Sequence, residues 1–220
     1  MEVDLKKNIF EQGLGKVTAN YVPQTPIGFL DWASHVYPQK TAIIHGKKHY
    51  SYKEFRQRSL RLASALSRRG IRKGDTVAII APNSPPMLEA HFGVPMTGAV
   101  LNALNFRLDA ETIAFILEHG EAKVLITDKE FSSVMKQAIS ITKRDLLVID
   151  IDDPLGPDGE MIGEINYEDF CAGGDDDFAW SLPEDEWDAI CLNYTSGTTG
   201  SPKGVVYHHR GAHQNALGNA

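Results

Sequence analysis

Asp75-Thr76-Val77-Ala78-Ile79-Ile80-Ala81 is the stretch that decides the fold. Its apolar run is unbroken, the pattern of a strand in a parallel sheet covered on both faces. Pro82-Asn83 then turns the chain, and Ser84-Pro85 starts a helix. Residues 99–104, 122–127 and 146–151 repeat the strand pattern. Between them, Asp109 caps a helix with Ile113, Ile116 and Leu117 inward and Gly120 closing it, and residues 130–140 form the next helix. This alternation predicts an α/β fold: a doubly wound, mostly parallel sheet with helices on both faces and right-handed crossovers.

Upstream of that stretch, Thr25-Pro26 opens a helix that carries Phe29, Leu30, Trp32 and Ala33 on its apolar face and stops before Pro38. Residues 41–45 and 49–52 read as two short strands around Gly46-Lys47-Lys48. Ser51 and Glu54 form a capping box for a helix in which Phe55, Ser59, Leu62 and Leu66 share one face and which Gly70 ends. The five arginines between Arg56 and Arg69 are expected on its solvated face. Downstream, residues 152–163 break the alternation. Asp152, Asp153, Asp158 and Glu160 there could ligate a divalent cation, but the EF-hand pattern is absent and a solvated loop is expected. Asp175-Asp176-Asp177 reads the same way, after a short helix at 166–171.

The chain has 220 residues, of which 42% are hydrophobic and 23% charged, with a net charge of −7. This is ordinary for a soluble globular protein and argues against a nucleic-acid surface, where a basic stripe is expected. Cys171 and Cys191 lack metal-site spacing and read as reduced thiols. No apolar run approaches a membrane span, and the first ten residues lack a secretory signal, so a cytoplasmic location is expected.

One stretch carries chemistry: Tyr194-Thr195-Ser196-Gly197-Thr198-Thr199-Gly200-Ser201-Pro202-Lys203-Gly204. Glycines let backbone N–H groups converge on a ligand, hydroxyls add rotatable donors, and the lysine adds a mobile point charge. The combination suits an oxygen-rich anion, and a polyphosphate best. A Walker loop is excluded, because Pro202 precedes Lys203, Gly204 follows it, and Val205-Val206-Tyr207 favours a strand where a helix would have to start. The expectation is strand, loop, strand. His208-His209-Arg210 comes next, with no third metal ligand in sight, so a positional or substrate-lining role is expected for the two histidines.

The eleven-residue string resembles the signature phosphate loop of the adenylate-forming (AMP-binding) superfamily, which includes acyl-CoA synthetases, peptide-synthetase adenylation domains and beetle luciferases. Two weaker patches agree with it. Asn102-Ala103-Leu104-Asn105-Phe106-Arg107-Leu108 is similar to a segment of acyl-CoA ligases, and it is followed by the strand holding Lys123 and Thr127-Asp128. Tyr50-Ser51-Tyr52-Lys53-Glu54-Phe55 resembles an early element of the family. The likeness runs from about Thr25 to the end.

The resemblance implies an ATP-dependent acyl-CoA synthetase of acid–thiol ligase type. A carboxylic acid and Mg-ATP give an acyl-adenylate and pyrophosphate, and coenzyme A then releases AMP as the thioester forms. It implies ATP, Mg2+ and coenzyme A as cofactor or co-substrates. The implied phosphate cradle is Thr195, Ser196, Gly197, Thr198, Thr199, Gly200, Ser201, Lys203 and Gly204. Lys203 and Thr198 are the residues closest to the chemistry, Thr195 is a candidate Mg2+ ligand, and His208 and His209 are candidates for lining the substrate. The chain reads as the incomplete N-terminal part of such an enzyme, inactive by itself. Residues 1–25 wrap the surface, 26–151 form the α/β layer, 152–186 connect, and 187–220 hold the phosphate-loop hairpin and the start of a helix. Two alternatives stay open: a non-catalytic phosphate- or nucleotide-binding half-domain, and an adenylation domain for another carboxylate such as an amino acid. A homo-oligomer is also left open.

Overall fold

A computed structural model describes residues 8, 10, 12–197 and 200–219. Much of the stretch 1–11, together with Thr198, Thr199 and Ala220, lies outside the described residues. The first element, α1 (Ile27–Val36), is followed by a two-stranded ribbon of β1 (Thr41–His45) and β2 (Lys48–Ser51) and by the long α2 (Tyr52–Arg68). Next come β3 (Thr76–Ile80), α3 (Pro85–Gly93), β4 (Val100–Ala103), α4 (Ala110–His119), β5 (Ala122–Asp128), α5 (Ser132–Ile141) and β6 (Leu147–Ile151). The chain finishes with β7 (Ile165–Asn166), α6 (Tyr167–Ala172), β8 (Ala189–Gly197), β9 (Gly200–His208) and α7 (His209–Gly218).

The main sheet has seven strands in the order β7-β6-β5-β3-β4-β8-β9. All its pairings are parallel except β8 with β9. Every residue of β3 is buried, as its apolar run requires. Its alternation sends Val77 and Ile79 to one face, against Leu62 and Leu66 of α2, Ala90 of α3 and Phe170 of α6. Ala78 and Ile80 go to the other face, against Ile113, Ile116 and Leu117 of α4 and Met135 of α5. The doubly wound α/β architecture follows from that one strand. A third cluster packs Ile27 and Leu30 of α1 on Phe55, Leu60 and Ala63 of α2, with Ile43 of the ribbon beside them.

Caps fix the helix starts. The Ser51–Glu54 capping box forms reciprocally, Asp109 Oδ1 accepts from Thr112 N at 2.8 Å, and Asn166 Oδ1 accepts from Asp169 N at 2.8 Å. Ser84 precedes α3 without making a side-chain cap. α5 starts at Ser132, two residues later than the sequence pattern, because Lys129–Phe131 forms a 3-10 turn under the Asp128 carboxylate, which accepts from Glu130 N at 3.1 Å. Gly120 closes α4 with φ −80°, and the left-handed turn falls one residue later, on Glu121 at φ 52°.

The charged loops are largely solvated, as expected, with one exception. Asp153 is buried, and its carboxylate sits 2.9 Å from His45 Nε2, pinning the loop after β6 to the ribbon. Asp152 pairs with Lys129 at 2.6 Å, and Glu160 pairs with Lys136. Among the described residues no group of three or more His, Cys, Asp or Glu could hold a metal ion. The α2 arginines are likewise engaged: Arg56 with Asp31, Arg61 with Asp176, Arg68 with Asp175 and Arg69 with Glu164. The basic face of α2 therefore clamps the acidic loop that follows α6.

Arg58 holds the deepest of these pairs. It meets Glu89 at 2.5 Å and Glu168 at 2.7 Å, and Glu89, wholly buried on α3, also accepts from Tyr167 Oη at 2.8 Å. Removing one partner of a buried pair leaves the other charge uncompensated. Glu89→Ala is expected to cost about 3–5 kcal/mol in urea unfolding, and a loss below about 1 kcal/mol would contradict the clamp.

At the other end of the chain, Thr25 Oγ1 is hydrogen-bonded to the buried His209 Nδ1 at 2.9 Å, and Gln24 N donates to Glu186 Oε2 at 3.0 Å. Thr25 Oγ1 also accepts from Ile27 N at 3.3 Å, so the threonine read as a cap serves both α1 and α7. Burial holds the His209 imidazole down, to about 4. With the folded value below the unfolded one, its contribution is complete above about pH 6.5 and is lost as pH falls toward 4, a swing of about 3 kcal/mol. Urea unfolding at pH 7 and pH 5 is expected to show a smaller drop for His209→Gln than for the wild type; equal drops would refute the assignment.

Candidate functional site

The candidate residues lie on one hairpin. β8 joins the sheet through β4, with Leu101 opposite Cys191 and Asn102 Nδ2 donating to Leu192 O at 3.0 Å. β4 ends at Ala103, so β8 from Tyr194 onward, with its antiparallel partner, extends past the carboxyl edge of the parallel strands. That edge is where open α/β sheets hold their ligands.

Strand pairing reaches further than the sequence suggested. Tyr194 faces Gly204, Thr195 faces Lys203 and Gly197 faces Gly200. The stretch read as an eleven-residue loop is thus largely two paired arms, irregular between Thr195 and Gly197. Thr198 and Thr199 lie outside the described residues. Ser196 and Gly197 belong to β8, and Gly200, Ser201 and Lys203 to β9. No helix starts near Lys203: α7 begins at His209, which agrees with the exclusion of a Walker loop. Thr195 and Lys203 are exposed, and the Lys203 ammonium has no ion-pair or hydrogen-bond partner among the described residues.

The structure separates the histidines from this pair. His208 lies five residues along β9 from Lys203, about 17 Å of strand. Its Nδ1 accepts from Gly211 N at 2.8 Å and caps α7, and its ring lies 4.3 Å from that of Trp187. His209 faces Thr25. Both hold positional roles in the fold. Arg210 pairs with the buried Glu186 at 2.8 Å, fastening α7 to the segment before β8.

Contacts around Tyr194 had no sequence signal. Its hydroxyl lies 2.6 Å from His119 Nδ1 at the end of α4. Gly204 is opposite its ring, where a Cβ would lie 3.1 Å from Leu192 Cδ1 and 3.4 Å from Tyr194 Cζ. Beyond the same edge, Phe106 after β4 stacks on Phe131 at 5.9 Å. A separate apolar cavity of about 510 Å3 lies between the ribbon, α3 and β8, lined by Ile43, Met87, Phe92, Leu101 and Ile190; none of the described residues of the hairpin arms lines it.

Comparison with known proteins agrees with this architecture. The family described as AMP-binding enzyme matches residues 30–219. A peroxisomal acetate/butyrate–CoA ligase of Arabidopsis thaliana is 48% identical over 218 residues, covering 94% of this chain and 38% of the relative. An acetate–CoA ligase of Humulus lupulus is 46% identical over 216 residues, covering 93% of this chain and 38% of the relative. The chain thus spans 38% of the length of these relatives. In fold it is similar to an anthranilate–CoA ligase solved with anthranoyl-AMP, with a TM-score of 0.78 at 23% identity over 89% of this chain and 37% of that one. Among the described residues no helix is long and apolar enough to cross a membrane. With the family match covering most of its length, the chain belongs to the AMP-binding enzyme family.

Proposed function

We propose that this chain supplies the triphosphate-holding part of an ATP-dependent acyl-CoA synthetase. The observation that carries the reading is the hairpin, which lifts Thr195 and an unpaired Lys203 past the carboxyl edge of a parallel sheet in a chain of this family. The reaction has two steps. A carboxylate oxygen attacks the α-phosphorus of ATP, forming the acyl-adenylate and expelling pyrophosphate. The coenzyme A thiol then attacks the acyl carbon, forming the thioester and expelling AMP.

The hairpin's share is electrostatic. Phosphoryl chemistry depends on positioning and on neutralising charge as pyrophosphate leaves. Ser196, Gly197, Thr198, Thr199, Gly200 and Ser201 form the cradle, Thr195, Gly204 and Lys203 flank it, and the Lys203 ammonium meets the departing phosphates. Mg2+ arrives with the nucleotide, as it commonly does where phosphate oxygens supply most of its ligands, and the exposed Thr195 hydroxyl is one neutral ligand within reach. The acid is a short-chain carboxylate, a choice supported by the relatives that act on acetate, butyrate and 2-methylpropanoate at 42–48% identity. A second reading applies to the 220 residues by themselves: because the curated relatives are longer, this chain alone holds phosphate without completing the reaction.

ATP–pyrophosphate exchange tests both readings. The chain alone is expected to be inactive, and the chain extended to its relatives' length is expected to be active with acetate or butyrate. In the extended protein, Lys203→Ala is expected to slow exchange by about a hundredfold. Wild-type exchange by that variant would remove Lys203 from the site.

A further inference from the structure

Tyr194 ties the hairpin arms to the rest of the fold. Among the described residues, the bond between Tyr194 Oη and His119 Nδ1, at 2.6 Å, is the only side-chain hydrogen bond that ties these arms to another element. The exposed His119 ring meets Tyr194 edge-on at 5.7 Å and is stacked on Phe115 at 5.3 Å. Two glycines clear the space around the tyrosine. At Gly120 a Cβ would lie 2.9 Å from Ile116 O, 3.2 Å from Leu192 Cδ2 and 3.4 Å from Tyr194 Oη, and at Gly204 a Cβ would press on Leu192 and the tyrosine ring from the partner strand. Tyr194 itself packs on the cluster under α4, while the residue after it, Thr195, is exposed.

We propose that Tyr194, seated in a socket made by His119, Gly120, Leu192 and Gly204, is the positioning residue that aims the phosphate hairpin from the sheet edge. The proposal rests on the reading of 195–204 as a phosphate cradle. A paired ribbon leaving a sheet edge twists and bends readily, since only its own ladder holds it. A cradle held in one place before its ligand arrives avoids an ordering cost at binding. The socket provides this with one hydrogen bond and with shape. In this proposal Tyr194 acts through the hairpin.

The test is amide hydrogen exchange on the full chain, with tripolyphosphate titration run in parallel. Tyr194→Phe and His119→Ala should each speed exchange of the amides at 195–204 roughly tenfold, leaving 76–80 and 122–128 at wild-type rates. His119→Asn, whose side-chain amide can occupy the position of Nδ1, should restore slow exchange. The double variant Tyr194→Phe/His119→Ala should be no faster than either single one, since both remove the same contact. Wild-type exchange in Tyr194→Phe, failure of His119→Asn to rescue, or equal acceleration throughout the sheet would each overturn the socket. Absence of tripolyphosphate binding by the wild type would instead overturn the cradle reading, with the exchange results still deciding the socket.

Discussion

The pairing of β8 with β4 is the constraint on which the rest of the site depends. Leu101 opposite Cys191, with the Asn102 amide donating to Leu192 O, is the junction between the parallel sheet and the hairpin. It fixes the register at which β8 leaves the sheet, and hence which residues stand beyond the edge. A slip of one residue would reverse the face of every side chain on the arms. Tyr194 would then turn away from α4, and Thr195 would take the buried side.

The layers beneath make that junction stiff. β3 is covered on both faces, and β4 and β5 flank it in parallel, so the carboxyl edge is held by apolar packing from two sides. The ion pairs do a different job. Arg58, Glu89 and Tyr167 join α2, α3 and α6, while the other α2 arginines hold the acidic loops against that helix. Exposed pairs of this kind contribute little each, but they fix the course of segments with no ladder to guide them. α7 is fixed in turn by Thr25 and Glu186.

The sheet was legible because a doubly covered strand leaves an unmistakable apolar run, and the caps at Ser51 and Asp109 sit where their short polar side chains predict, whereas Asn166, read as the first residue of a short helix, caps one that starts at Tyr167. β7 was not legible, since two residues at an edge carry no periodicity. Within the acidic loops Asp153 was misjudged, because composition records charge but not the partner: it looks like any loop aspartate until His45 is folded against it, 108 residues away in sequence. The hairpin was legible in kind, but its pairing beyond Thr195 was not, because glycine- and threonine-rich strands resemble loops when read alone. His208 and His209 drew notice as paired imidazoles, yet each has a fold-building partner, a helix N-terminus and Thr25.

The central claim is that the arms at 195–204 receive the phosphates of ATP. Amide chemical-shift mapping of the chain with Mg-ATP tests it most directly. The account predicts shifts concentrated on the backbone from Thr195 to Gly204, with smaller ones at the edge after β4 and only slight change along β9 toward His208. Shifts concentrated instead around the apolar cavity at Ile43, Met87 and Phe92, with the hairpin unchanged, would contradict it.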